Sequence, residues 1–225
     1  MNHRIKTLIS GFLILLLIGA LLGTVLTSAA GSMTKEISAE AQFARARSAV
    51  LYVRSFYASG GLKSTGSGFL IRSDGLALTA AHVVDKAARI TVRMSTEEEL
   101  ECELISSDTE TDIAVLRLPP GTYPSLALSR SEPASGAQVR AMGFPTKDAL
   151  IITEGLMNAA DAVVSEKHRA MVSCDIVNGM SGGPVFDRCG QVIGLCSGSV
   201  RTMSGIHLSA RWNDLITAVD AAAKT

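Results

Sequence analysis

The chain has 225 residues, enough for one domain or two small ones. Its 21 Lys and Arg residues balance its 21 Asp and Glu residues, and only 4% of its residues are aromatic. This composition argues against the basic surface and the stacking platforms of a nucleic-acid-binding protein, so no nucleic acid partner is predicted.

The first predicted element is an N-terminal membrane segment, residues 1–30. A basic start, MNHRIK, precedes an apolar stretch from Leu8 to Leu26 without a charged residue. About 20 residues at ~1.5 Å rise each cover about 30 Å, enough to cross a bilayer as a retained anchor. A cleaved signal peptide is the alternative, because SAA before Gly31 is an acceptable cleavage site, but such peptides usually have shorter apolar regions of ~7–15 residues. Either segment places the rest of the chain in the periplasm or the extracellular space, secreted if cleaved.

Residues 31–48 are polar and rich in alanine, which predicts a helical or stalk linker with a helix cap at Thr34. From residue 49 the pattern changes to short apolar or alternating runs, such as AVLYVRSF, RITVRM and QVIGLC, separated by Gly, Pro, Asp and Ser. Many short strands at regular spacing predict an all-β sandwich or barrel. The turn-rich segment from Pro119 to Gly136 divides these strands into two groups.

The tail SARWNDLITAVDAAAKT predicts a short C-terminal helix. Leu215, Ile216 and Val219 fall on one face at helical spacing, and Trp212 lies nearby. We expect this amphipathic helix to close the domain.

The chain has four cysteines, Cys102, Cys174, Cys189 and Cys196. No pair has a CxxC spacing, so a zinc site is not predicted, and the sequence indicates no other cofactor. An exported domain can form a disulfide. Buried thiols are equally common, because cysteine behaves as a small hydrophobic residue. The sequence leaves open whether one disulfide forms, and between which residues.

Ser181 lies among glycines in the stretch NGMSGGPVF. A glycine-rich turn is the ordinary interpretation; a nucleophile whose neighbours leave room for a substrate is the other. A serine nucleophile needs a base and a third group that orients the base. His82 follows the apolar run LALTAA, where a packed core histidine is the alternative, and Asp112 precedes the run IAVLRL, where a turn acid is the alternative. Together the three residues form a candidate set in the order His82, Asp112, Ser181.

The motif GMSGG also fits the nucleophile elbow of α/β-hydrolases, in which Asp187 and His207 would complete the order serine, acid, histidine. That elbow requires a helix directly after the serine, and Pro184 and Gly190 disfavour one. The preceding chain also shows no alternation of strands and helices. The hydrolase interpretation is therefore rejected.

Three segments in this order resemble trypsin-like serine proteases of the chymotrypsin fold, and most closely the bacterial HtrA/Deg-type branch. GSGFLIRSDGLALTAAHVVD resembles the histidine segment, TDIAVLRL the aspartate segment and NGMSGGPVFDRCGQVIGLCSG the serine segment. The resemblance covers roughly residues 49–212 and implies a trypsin-like serine protease domain over residues 49–225. The implied fold is all-β, with two six-stranded antiparallel β-barrels and the short C-terminal helix.

The resemblance also implies roles for single residues. Ser181 would attack the peptide bond, His82 would move the proton and Asp112 would orient His82. The N–H groups of Gly179 and Ser181 would form the oxyanion hole. Met180 departs from the acidic residue or asparagine that relatives carry before the nucleophile, so we expect no zymogen-type activation pair. The chain ends too soon after Ser181 for the PDZ domains of many HtrA-type proteins.

In the family it resembles, two strands line the pocket for the substrate residue before the cleaved bond; here these are MVSCDIV and GLCSGS. Ser197 would lie on the wall that pairs with the substrate backbone, and the small Gly198 would leave the pocket mouth open. Asp175 has the spacing of the aspartate that binds Arg or Lys in trypsin-type enzymes. HtrA-type relatives carry a similar aspartate in another role and prefer small aliphatic residues. We favour the aliphatic preference; a basic preference, or an Asp175 turned away from the pocket, are the alternatives.

The sequence therefore predicts an extracytoplasmic serine endopeptidase that hydrolyses peptide bonds through a His-Asp-Ser triad and an acyl-enzyme. The alternative is a non-catalytic binding or scaffold protein on the same fold. Predicted partners are protein or peptide substrates and, through the N-terminal helix, the membrane. The sequence leaves the oligomeric state open; the resemblance implies that an oligomer, such as the trimer of many HtrA-type proteins, is one option.

Overall fold

The structure is a computed structural model that describes residues 35–94, 98–199 and 203–224. The predicted membrane segment, residues 1–30, lies outside these ranges. Among the described residues no helix is both long enough and apolar enough to cross a bilayer.

Six antiparallel strands close the first β-barrel in the order β1-β2-β3-β6-β5-β4. The strands are β1 (Val50–Phe56), β2 (Leu62–Leu70), β3 (Leu76–Ala80), β4 (Arg89–Arg93), β5 (Glu99–Asp108) and β6 (Ile113–Arg117). All five residues of β3, LALTA, are buried, and this strand also contacts a strand of the second barrel. Because both faces of β3 are buried, its sequence is a continuous run of small or apolar residues and not an alternation of apolar and polar ones.

Six further antiparallel strands close the second β-barrel in the order β10-β11-β12-β9-β8-β7. They are β7 (Gln138–Thr146), β8 (Ala149–Val164), β9 (Lys167–Val172), β10 (Pro184–Phe186), β11 (Val192–Ser199) and β12 (His207–Ala210). The turn-rich segment Pro119 to Gly136 connects the two barrels, as expected. The predicted all-β fold of two six-stranded antiparallel barrels is confirmed.

Two apolar cores hold the barrels. The larger includes Leu51, Leu78 and Leu116 of the first barrel and continues into Met142 and Phe186 of the second. The smaller lies within the second barrel. Each fully buried side chain of this size contributes about 1.5–3 kcal/mol relative to an exposed one. Because the larger core crosses from one barrel to the other, packing fixes the two barrels against each other at the site described below.

Helix α1 (Ala39–Ala46) begins after Ser38, whose hydroxyl accepts a hydrogen bond from the Ala41 N–H at 3.1 Å. The predicted cap, Thr34, lies outside the described residues, and the observed cap is four residues later. The buried Arg140 guanidinium donates to the Ile37 carbonyl at 3.0 Å and to Gln42 Oε1 at 2.9 Å. These bonds attach α1 to the second barrel, and α1 belongs to the same compact unit, Glu36–Thr225, as the two barrels.

A C-terminal helix, α3 (Trp212–Ala222), follows β12, as predicted. Leu215 is fully buried and Val219 packs against the larger core. The indole N–H of Trp212 donates to the Ser129 carbonyl at 2.9 Å, which ties the first turn of the helix to the connection between the barrels. A single turn of helix, α2 (Ala81–Val84), directly follows β3.

Candidate active site

His82 and Asp112 meet because β3 and β6 are antiparallel neighbours. In that pairing Ala80, at the end of β3, lies opposite Ile113, at the start of β6. His82 comes two residues after Ala80, and Asp112 comes one residue before Ile113, so the strand pairing brings them close together. The Ala81 N–H donates to the Asp112 carbonyl at 3.2 Å, which holds α2 against the turn that carries the carboxylate.

The Asp112 carboxylate accepts hydrogen bonds from three groups. The His82 ring donates from Nδ1 to Oδ2 at 2.9 Å, and the His82 backbone N–H donates to Oδ1 at 3.0 Å. The Ser197 hydroxyl donates to Oδ2 at 2.5 Å. Because an ionised carboxylate can only accept, Nδ1 carries the proton in the neutral ring and Nε2 is left as an acceptor. This is the tautomer that a general base needs.

Asp112 is 7% exposed, whereas the side chain of His82 is half exposed. Burial opposes ionisation of Asp112. The hydrogen bonds from His82 and from the Ser197 hydroxyl, together with the charge of His82, favour the ionised form. These contacts outweigh burial and hold the pKa of the Asp112 carboxyl below its usual value of 3.8. Asp112 therefore stays ionised at neutral pH and stabilises a positive charge on His82.

Ser181 lies in the loop before β10, between the two barrels. Its carbonyl accepts from the Ser67 N–H of β2 at 2.7 Å. The next residue, Gly182, donates its N–H to the Cys196 carbonyl at 2.7 Å, so the loop runs beside the segment that presents Ser197 to Asp112. The described residues contain no hydrogen bond between the His82 ring and the Ser181 hydroxyl; in proteases without substrate this contact is often long and tightens on binding.

Within the serine loop, defined as residues 179–183, two backbone N–H groups have no partner among the described residues. The other three N–H groups of residues 179–183 are bonded. The Met180 N–H donates to the Val177 carbonyl at 3.0 Å, and the Gly183 N–H donates to the Met180 carbonyl at 2.9 Å. The Gly182 N–H donates to the Cys196 carbonyl at 2.7 Å. No described residue accepts from the N–H of Gly179 or of Ser181. These are the two donors that the resemblance assigns to the oxyanion hole, and the surrounding bonds hold the loop in a fixed conformation.

Gly179 has a φ of +92°, which disfavours any residue with a side chain. A Cβ there would lie 2.5 Å from the Phe144 carbonyl oxygen and 2.8 Å from that of Pro145. Gly182, at φ +90°, is as constrained, since a Cβ would lie 2.7 Å from the Ala80 N atom and closer still to the Ser67 carbonyl oxygen. These glycines let the loop approach the backbone of both barrels.

Sequence reasoning missed Ser67, a fully buried residue of β2. Its hydroxyl donates to the Gly179 carbonyl at 2.8 Å and accepts from the Phe144 N–H at 2.8 Å. With the bond to Ser181, Ser67 holds the serine loop at two points from the first barrel. The one available signal was its position between two glycines in TGSGF, which allows close approach of another backbone.

The predicted substrate-binding residues have different environments. Asp175 is exposed, and its carbonyl accepts from the Thr153 hydroxyl at 2.9 Å. Ser197, expected at the pocket wall, turns its hydroxyl to Asp112, a contact that the sequence did not predict. A Cβ at Gly198 would meet no atom within 4 Å, so open space lies beside it.

His207 lies on β12, between the strands β11 and β9. Its Nδ1 is buried and has no partner among the described residues.

Cys102, Cys174 and Cys196 are buried thiols, so the disulfide that the sequence left open is not formed. No group of three or more His, Cys, Asp or Glu side chains in the described part of the chain is placed to hold a metal ion.

The closed barrels and the residues at their junction define the fold as chymotrypsin-like. Residues 66–195 match the family model of the trypsin-like peptidase domain, and the chain belongs to this family. Over 150 residues it is 38% identical to a probable periplasmic serine endoprotease, DegP-like, from Halomonas elongata, with 65% of this chain and 31% of the relative covered. A relative of the same name from Pseudomonas savastanoi pv. phaseolicola is 37% identical over 147 residues, covering 64% and 30%. The chain thus spans about a third of the length of these relatives.

Solved structures agree with this assignment. The serine endoprotease from Yersinia pestis has a TM-score of 0.72 and 26% identity, covering 83% of this chain and 67% of its own. A protease from M. tuberculosis in its active form has a TM-score of 0.71, with 80% and 82% covered; at 22% identity it supports the fold alone. The expected family resemblance is confirmed.

Proposed function

We propose that this protein is a serine endopeptidase that cleaves peptide bonds through an acyl-enzyme on Ser181. The observation that carries the proposal is the pair of N–H groups of Gly179 and Ser181, which have no acceptor among the described residues, while the other three N–H groups of residues 179–183 are bonded. Fixed donors of this kind stabilise the charge that develops on an attacked carbonyl oxygen.

In the proposed reaction the Ser181 hydroxyl attacks the scissile carbonyl carbon while His82 Nε2 takes its proton. Asp112 keeps the proton of the neutral ring on Nδ1 and stabilises the ring once it is charged. The carbonyl oxygen becomes an oxyanion between the N–H groups of Gly179 and Ser181. His82 then gives the proton to the leaving amine, and a water molecule, activated by the same ring, hydrolyses the acyl-enzyme.

Cleavage after small aliphatic residues is the specificity that we propose. Asp175 is exposed, so it does not form the buried carboxylate that would hold a cationic side chain. The open space beside Gly198 leaves room for a substrate side chain. A peptide-library cleavage profile tests this: cleavage after Val, Ala or Leu, unchanged in Asp175→Ser, is expected. Cleavage mainly after Arg or Lys, lost in Asp175→Ser, would overturn it.

We further propose that the protease domain acts outside the cytoplasm, on protein or peptide substrates. The relatives' names, which describe them as probable periplasmic endoproteases, support this location. Retention through residues 1–30 stays a prediction. It is tested by washing membranes with carbonate, which should leave the full-length protein bound, and by sequencing the mature N-terminus, where Gly31 or a neighbour would show cleavage. The oligomer that the resemblance implies as one option also stays a prediction, tested by light scattering of the purified protein.

The decisive experiment on catalysis is labelling with a fluorophosphonate probe, which reacts only with an activated serine. The full-length protein should be labelled, and Ser181→Ala and His82→Ala should not be, while all three proteins give the same circular dichroism spectrum. Absence of labelling in the folded unsubstituted protein would support a non-catalytic binding or scaffold protein instead. Labelling of Ser181→Ala would refute the assigned nucleophile.

A further inference from the structure

Arg169 on β9 is a buried cation without a buried anion. It is 7% exposed, and its Nη1 donates to the carbonyls of Glu110 and His168, each at 2.7 Å. None of the described residues places a carboxylate oxygen within 4 Å of the guanidinium. Transfer of a charge out of water is costly unless it is paired. A buried arginine that contacts carbonyl groups alone therefore calls for an explanation beyond stability.

The Glu110 carbonyl belongs to the turn between β5 and β6, which ends at Asp112. Arg169 belongs to the second barrel and this turn to the first, so the hydrogen bond crosses between the barrels. Lys167, two residues before Arg169, makes a parallel contact: its ammonium donates to the Thr109 carbonyl at 2.8 Å and lies 3.4 Å from the Glu110 carboxylate.

The hairpin that carries Arg169 is itself held in place. The connection between β8 and β9 is a tight turn in which Ser165 and Glu166 have φ of 50° and 66°. Asp161 of β8 accepts from the His168 ring at 2.7 Å and from Arg211, at the start of α3, at 2.7 Å. The hairpin is thus anchored to the C-terminal helix, and Arg169 contacts the turn from a fixed position.

Asp112 needs such support because its backbone is in an unfavourable region, with a φ of +59°. A non-glycine residue in that region persists only where its surroundings enforce it. Within the turn, the Asp108 carboxylate accepts from the Glu110 N–H at 2.8 Å and from the Thr111 hydroxyl at 2.9 Å. These bonds set the shape of the turn. They do not set its place relative to the second barrel, which carries Ser181.

We propose that Arg169 is a positioning residue for the reaction: it fixes the turn that presents Asp112 to His82, in register with the serine loop of the other barrel. The inference rests on the proposed function, since it assigns Asp112 to the triad. Arg169 does not touch the substrate, so its loss lowers kcat by moving the carboxylate while substrate binding is kept.

Kinetics of the full-length protein test this first. Arg169→Met, which keeps the length of the side chain and removes its donors, should lower kcat about 10- to 100-fold with KM within about twofold, as expected for a small displacement of a reacting group. Arg169→Lys, which keeps a charge and one donor, should recover part of the loss. Arg130→Met, a change at an exposed arginine of the connection between the barrels, should behave as unsubstituted protein. An unchanged kcat in folded Arg169→Met or, if that variant does not fold, in folded Arg169→Lys overturns the proposal.

A double-mutant cycle separates positioning from general stabilisation. If Arg169 acts through Asp112, then Arg169→Met should cost almost nothing further in an Asp112→Asn background, whereas independent effects would multiply. Full multiplication of the two losses overturns the proposal.

Proton NMR gives a measurement that needs no turnover. In full-length Ser181→Ala, the His82 Nδ1 proton bonded to Asp112 should give a strongly downfield signal, which Arg169→Met should shift upfield or broaden and Arg130→Met should leave in place. A signal unmoved by Arg169→Met contradicts the positioning role. If the signal moves as expected but unsubstituted protein is never labelled by the fluorophosphonate probe, the proposed function fails and the positioning of Asp112 stands.

Discussion

The first barrel presents His82 and Asp112 from the ends of two paired strands, whereas the second barrel presents Ser181 from a loop without regular structure. Strand pairing between β3 and β6 brings the first two residues together. The serine loop has no such ladder of its own. Its carbonyls bond instead to Ser67 of the first barrel, and its glycines lie against the backbone of both barrels.

The difference shows that the two barrels contribute unequally to the accuracy of the site. The first barrel brings His82 and Asp112 together by its own strand pairing, and the second barrel adds contacts from Ser197 to the Asp112 carboxylate and from Arg169 to its turn. The serine loop is bonded to Cys196 within the second barrel, but its Gly179 and Ser181 carbonyls also depend on Ser67, a contact that exists only when the barrels are docked. Substitution of Asp112 should therefore affect catalysis with little effect on folding, and substitution of a constrained glycine of the serine loop should affect both.

The largest expected effect on catalysis is that of a substitution at Asp112, in the first barrel. Asp112→Asn keeps the size of the side chain but removes the charge and favours the wrong tautomer of His82, which should lower kcat about 10⁴-fold. The thermal unfolding midpoint at neutral pH should change little by comparison. A kcat within tenfold of the unsubstituted value would break the assignment of Asp112.

The next largest effect is that of a substitution in the serine loop of the second barrel. Gly182→Ala places a Cβ against the Ser67 carbonyl and the Ala80 N atom at a φ of +90°. The backbone must shift, which should lower the free energy of unfolding by about 3 kcal/mol and remove probe labelling. Gly198→Ala is the matched control, because a Cβ there meets open space, and its stability should change by less than about 0.5 kcal/mol. Denaturant titration of both variants measures the difference; equal stabilities would contradict it.

Ser67→Ala should give a mixed result, since Ser67 belongs to the first barrel but holds the loop of the second. It leaves the Gly179 carbonyl and the Phe144 N–H without their partner, at a cost of about 1–3 kcal/mol in unfolding free energy. Displacement of an oxyanion-hole donor should lower kcat about 100-fold. Ser209→Ala removes another buried serine hydroxyl, bonded to the Ala210 carbonyl at 2.9 Å, and should lose stability without a comparable loss of kcat.

The smallest effect concerns Ser197, which joins the two barrels by bonding to Asp112. Ser197→Ala removes one charge-assisted hydrogen bond and should lower kcat about tenfold and stability by about 1 kcal/mol at neutral pH. The pKa of Asp112 is lower in the folded protein than its ordinary value of 3.8. Ionisation of Asp112 therefore stabilises the fold at pH values above 3.8, and this contribution is lost as the pH falls through the lower pKa of the folded state. The stability difference should therefore shrink toward zero in strong acid; a difference that grows there would be contrary evidence.

The same contrast explains what the sequence could predict. The sequence nominates His82 and Asp112 because each borders an apolar strand, a pattern visible in the sequence alone, and the structure places the two side chains in contact. It nominates Ser181 because of the neighbouring glycines, which indicate an unusual backbone conformation. Ser67 and Arg169 were missed because a serine in β2 and an arginine in β9 have ordinary strand patterns. Their roles come from contacts between the barrels, which no local pattern encodes. The cap of α1 could not be chosen from the sequence because Thr34 and Ser38 both suit the role; the structure shows the cap at Ser38, and Thr34 lies outside the described residues.

The buried thiols have a consequence for how this protein matures. Burial raises the pKa of Cys102 and of Cys174 to about 12, so neither is a thiolate at neutral pH and neither exchanges readily with oxidants. Both barrels close by strand pairing without a covalent cross-link. The domain therefore needs no oxidase or disulfide isomerase to reach its native state, and it should fold equally well in a reducing host cytoplasm and in an oxidising compartment.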